Sequence, residues 1–165
     1  MTDILLTAFR GTSSEKLIRQ IDSSKYKKVL LPNDKEKDSE IVDKMISDGK
    51  YKYVICLGQK PIMKDKVAIE TTAKCRDISI NTSFQYIELK NTLEENGIEV
   101  KISHNAGTSY CNCLYYNCMM HLKQKELNTK VIFIHIPMLK NITDSVFFPK
   151  LIHVLNELEK IDIGT

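Results

Sequence analysis

Short apolar runs rich in β-branched residues alternate along this chain with segments whose apolar residues recur at helical spacing. That alternation restricts the fold more than any other feature. Residues 3–9 (DILLTAF), 28–31 (KVLL), 53–57 (YVICL), 98–102 and 131–136 (VIFIHI) read as strands, and 67–69 as a short extended piece. Between them, residues 14–21, 37–47, 84–95, 109–127 and 144–160 read as helices. Ile41, Val42, Met45 and Ile46 share one face of the second, and Gly97 stands as the C-cap of the third. Pro149 falls inside the last span, so that helix starts late or kinks. Strands and helices alternating at this spacing predict a three-layer α/β/α sandwich with a mostly parallel central sheet.

The chain has 165 residues, enough for one domain over residues 1–165 with a real hydrophobic core. Net charge is +3 with both signs scattered, which argues against a dedicated nucleic-acid binder. The apolar runs fall far short of a membrane span. The opening MTDILL carries an acid where a signal peptide wants positive charge, so a cytoplasmic protein is expected. Five cysteines, an odd number, then read as reduced thiols. No metal site is expected. Cys111 and Cys113 are two apart on a helix and point to different faces, and Cys118 with His121 supplies only two ligands.

Sites in such sheets form at the carboxyl ends of the strands, here residues 9–14, 58–61, 104–111 and 135–137. The strongest local feature is residues 103–112, SHNAGTSYCN, which follow a strand and open a helix. Cys111 falls in the first turn, where free backbone N–H groups and the helix dipole favour a thiolate. A purely structural reading competes. Cys111, Leu114, Tyr115, Cys118, Met119 and Leu122 form the apolar stripe of an amphipathic helix. A nucleophilic Cys also needs a base, and His135 is out of pattern in FIHIP, at the end of a buried strand. His104, His121 and His153 are weaker candidates. From these residues alone the reading stops at a cysteine hydrolase.

AGTSYCN, followed some twenty residues later by FIHIP, resembles the Cys and His motifs of the pyroglutamyl peptidase I family. LLTAF, VICLGQ, KVAIE and NTLEENGIEVKISHNAG are similar to further segments of that family, over about residues 4–155. The resemblance implies a cysteine hydrolase without cofactor. It would remove an N-terminal pyroglutamyl or related small acyl group through a thioester, with Cys111 as nucleophile and His135 as general base. The family's orienting Glu in ERVAIN matches Asp65 in DKVAIE, after a loop about four residues shorter. Phe9 matches one of the two Phe that sandwich the lactam ring. The second is missing, and Arg10 and Gly11 fill the shortened turn. Gln59 matches the pocket Gln, with Lys60 and Pro61 replacing the residues after it. The expected partner is a small peptide or acyl-amide, with no nucleic acid and no membrane, and the family's tetramers imply a homo-oligomer.

Two alternatives stand beside this reading. The same fold could take a different, anionic small acyl or amide substrate, given Arg10 and the lost Phe. A non-catalytic binding protein could keep Cys111 and His135 as core residues. Phosphate binding at residues 11–14 is a generic further idea, and Thr12 with Glu15 reads equally as a capping box.

Overall fold

The computed structural model describes residues 3–22, 24 and 26–161. Residues 1–2 of the MTDILL segment and residues 162–165 of the expected domain lie outside the described residues. The central sheet joins β1 (Ile4–Phe9), β2 (Lys27–Leu31), β3 (Tyr53–Lys60), β4 (Lys66–Glu70), β7 (Glu99–Ser103) and β8 (Lys130–Pro137). Their order is β2-β1-β3-β8-β4-β7. Neighbours run parallel except β4 against β8, which are antiparallel, with Ala68 opposite His135 and Glu70 opposite Phe133.

Strand residues alternate between two faces, and each face buries its own cluster. Leu6, Ala8, Ile55, Leu57, Ile132 and Ile134 pack against α1 (Ser13–Arg19), α3 (Tyr86–Glu95) and α5 (Phe147–Leu155). Leu5, Phe9, Val54, Cys56, Val131 and Phe133 pack against α2 (Lys35–Asp48) and α4 (Tyr110–Gln124). The result is the expected α/β/α sandwich.

Local signals explain the helix ends. Asp34 caps α2 by accepting from the backbone N–H groups of Glu36 and Lys37. Gly97, at φ +80°, ends α3 in the left-handed conformation. The last helix begins at Phe147, which leaves Pro149 in the first turn, where its missing N–H costs nothing. The stretch after β4 is a hairpin that periodicity passed over, β5 (Thr72–Cys75) paired antiparallel with β6 (Ile78–Asn81). Its turn carries Arg76 at φ +54°. The hairpin lies against α4: the Asn112 amide accepts from the Lys74 N–H at 3.0 Å and donates to the Lys74 carbonyl at 2.7 Å. The residue after Cys111 is thereby clamped on two sides.

Candidate active site

Cys111 reaches the sheet through a short loop between β7 and α4. Within that loop Asn105 N–H donates to Ser103 Oγ, and Asn105 Oδ1 accepts from Gly107 N–H at 3.0 Å. Gly107 adopts φ +88°, which the turn requires and which disfavours a side chain. The loop sets Cys111 at the second position of α4, with its sulfur facing the sheet over β3. The facing residue is Gly58, where a Cβ would lie 2.7 Å from Sγ. Gly58 is the register partner of His135 on β8. His135 lies two residues beyond Phe133, so both point to the α4 face, and their ring centroids are 4.9 Å apart. Cys111 and His135 therefore occupy the same end of the same face.

The thiolate expected at Cys111 is not the resting state. Cys111 is only 7% exposed. Burial, reinforced by the neighbouring Cys56 thiol and the negative Glu70, pushes its pKa up to about 12. These effects outweigh the helix N-terminus. The free protein holds a protonated, hydrophobically packed thiol, so both sequence readings of the stripe apply to one residue.

His135 has a carboxylate partner, but it is not Asp65. Nδ1 of His135 and Oε1 of Glu70 are 2.9 Å apart, and both residues are buried. An ionised carboxylate only accepts, so Nδ1 carries the hydrogen and Nε2 keeps its lone pair. Burial works to raise the Glu70 pKa; the hydrogen bonds of His135 and Ser103, then the charges of His135 and Lys60, overcome it and hold the carboxyl below its ordinary value. Asp65 faces elsewhere. With φ +49° it turns the chain into β4, and its carboxylate accepts from the Thr143 N–H at 2.7 Å and from the Thr143 hydroxyl. The reason is strand parity. Glu70 shares the face of Ala68, the cross-strand partner of His135, whereas Asp65 precedes the strand at the opposite parity.

The expected substrate residues divide. Phe9 is on the Cys111 face, but it is 3% exposed and packs on Phe133 with centroids 6.4 Å apart. Phe133 also meets Tyr115 at 5.7 Å, so these rings form an aromatic wall beneath His135. Gln59 alternates to the other face, where its Oε1 accepts from Ser13 N–H at 3.0 Å and ties β3 to the start of α1. Arg10 is exposed, and its backbone is held by Leu31 and Asn33. Thr12 and Glu15 form no standard capping box: Thr12 Oγ1 donates to the Phe9 carbonyl, and Glu15 accepts from Gly11 N–H.

Glu70 went unread, and Lys60 was noted only as a replacement after Gln59. Glu70 had a readable signal: an acid closing the apolar run KVAI is as out of place in a buried strand as His135. Lys60 Nζ lies 3.2 Å from Glu70 Oε1.

The comparisons with known proteins point to one family. The model of the Peptidase_C15 family, pyroglutamyl peptidase, matches residues 82–151, which span both the Cys and the His motif. A pyrrolidone-carboxylate peptidase of Brevibacillus brevis is 29% identical over 171 residues, covering 84% of this chain and 80% of the relative. Among solved structures, the pyrrolidone carboxyl peptidase of Fervidobacterium islandicum AW-1 superposes with a TM-score of 0.82 at 15% identity, covering 98% of this chain and 99% of that one. The Thermococcus litoralis pyrrolidone carboxyl peptidase gives 0.76 at 20% identity, covering 97% and 96%. At such identities the structures establish the fold, and the sequence matches show a resemblance. The chain thus resembles the pyroglutamyl peptidases in sequence over most of its length and shares their fold.

Proposed function

We propose that this protein is a cysteine peptidase that removes an N-terminal pyroglutamyl group from small peptides, with Cys111, His135 and Glu70 as its working residues. The observation that carries the reading is the 2.9 Å bond from His135 to the buried Glu70, on the sheet face that receives the Cys111 sulfur. In the reaction, Nε2 of His135 takes the Sγ proton as Cys111 attacks the lactam-bearing carbonyl. The resulting imidazolium is stabilised by Glu70 and returns its proton to the leaving amine as the C–N bond breaks. Water, deprotonated by the same imidazole, then cleaves the thioester and restores the thiol.

Because the resting thiol is protonated, His135 acts as a general base during attack. The test is hydrolysis of a pyroglutamyl chromogenic amide by wild type and by Cys111→Ala under reducing conditions. Turnover that depends on Cys111 supports the reading, and its absence in wild type removes it.

A second reading keeps the chemistry and changes the acyl group. It is favoured by the burial of Phe9 beside a turn that presents Arg10 and Gly11. Stabilisation of the fold by small carboxylated acyl amides, with pyroglutamate inert, would select this reading over the first.

A further inference from the structure

Glu70 serves two cations with one oxygen. His135 Nδ1 stands 2.9 Å from Oε1, and Lys60 Nζ stands 3.2 Å from the same atom. The other oxygen, Oε2, is buried with no hydrogen-bond partner among the described residues. Lys60 also donates to the Asn105 carbonyl at 3.1 Å, in the loop that delivers Cys111. Its position is set by the fold: β3 extends to Lys60, opposite Pro137 at the end of β8, so the ammonium reaches over the rim toward β4.

We propose that Lys60 is a positioning residue of this site, acting through Glu70 on the basicity of His135 and through Asn105 on the Cys111 loop. The inference rests on the catalytic reading of Cys111 and His135 given above.

The argument is electrostatic. A buried carboxylate facing only an imidazole favours the imidazolium. A second cation on the same oxygen offsets that attraction. It also opposes a new positive charge on the ring beside it. Lys60 thus keeps His135 available as a base while Glu70 still fixes the ring and its tautomer. Among the described residues, the groups placed around His135 are Glu70 from β4, Lys60 from β3 on the same Glu70 oxygen, and the thiol of Cys111 from α4 over Gly58. Lys60 is the one cation among them. Its side chain is 24% exposed, so its charge is partly shielded by protein rather than fully screened by water.

The experiment is an NMR titration of the His135 imidazole in the full chain, with its signal identified by its loss in His135→Ala. Wild type is compared with Lys60→Met, Lys60→Arg and Lys60→Met in a Glu70→Gln background. Lys60→Met is expected to raise the His135 titration midpoint by about one unit, and Lys60→Arg to restore it. In the Glu70→Gln background the shift should shrink. The acid limb of kcat/KM for a pyroglutamyl amide should move up by the same amount, an about tenfold loss below the limb. A structural tie alone would lower activity without moving either midpoint, and an unmoved His135 titration overturns the proposal. Should Lys60→Met fail to fold, Lys60→Gln carries the same comparison. The titration needs no turnover. An inactive wild type with a moving His135 removes the peptidase reading, while an active enzyme with an unmoved His135 removes only the role of Lys60.

Discussion

Gly58 and Cys111 claim the same space: a methyl group on Gly58 would lie 2.7 Å from the Cys111 sulfur and 2.8 Å from the Phe133 ring. The glycine is buried on a strand, so what it supplies is room for the sulfur against the sheet. Gly58→Ala is expected to push α4 outward, lower kcat/KM at least tenfold, and destabilise the fold by about 1–3 kcal/mol, the usual cost of overpacking. Urea unfolding alongside the amide assay would check both. A variant with wild-type activity would mean that the sulfur does not work from this position.

Glu70 and Asp65 make opposite predictions. Glu70→Gln keeps the shape but removes the charge that supports the imidazolium, and kcat should fall by about 10²- to 10⁴-fold. Asp65→Asn changes a turn residue bonded to Thr143 and should leave kcat within about threefold of wild type. Steady-state kinetics on the two variants decides between the acids, and a reversed order would return the orienting role to Asp65.

Acidification should act through Glu70. Its carboxyl is held below the ordinary value in the folded protein, so the folded chain binds fewer protons than the unfolded one between the two values. The stability it contributes is complete above the unfolded value of about 4.3 and disappears as pH falls through the folded one. Stability measured by urea unfolding should therefore drop on going from about pH 6 to about pH 3, and Glu70→Gln should flatten that drop. An equally steep loss in the variant would place the acid sensitivity elsewhere.

Alkylation should separate the thiols by burial. Cys75 is exposed on the β5–β6 hairpin, whereas Cys111 is buried and its pKa is pushed up to about 12. Mass spectrometry after brief iodoacetamide treatment at neutral pH should find Cys75 modified first and Cys111 slowly. Rapid labelling of Cys111 would show a resting thiolate and replace the general-base step with a preformed ion pair.

The sheet, its flanking helices and both motif residues were legible because each rests on a local signal. Strand runs such as VIFIHI need only composition, and His135 announced itself by polarity in an apolar strand. The β5–β6 hairpin was not legible, since its exposed half (Lys74, Cys75, Ile78) shows no apolar alternation and its order comes from α4. Asp65 was chosen by aligning a motif, and motif position says nothing about which face a carboxylate occupies. Parity along β4 decided that. The state of the Cys111 thiol was equally out of reach, because a helix N-terminus is visible in sequence and burial under Phe133 and Gly58 is not.

The reversal of β4, which runs with β7 against the other four strands, has one more effect. The carboxyl end of β4 points away from the rim where β8 ends, so Glu70 lies beneath His135, buried within the sheet face. Dissolved ions reach that carboxylate poorly, and a buried pair is screened far less than a surface one. The charge relationship between Glu70 and His135 is consequently insulated from its medium: a change of ionic strength should leave the hold of Glu70 on the imidazole nearly constant.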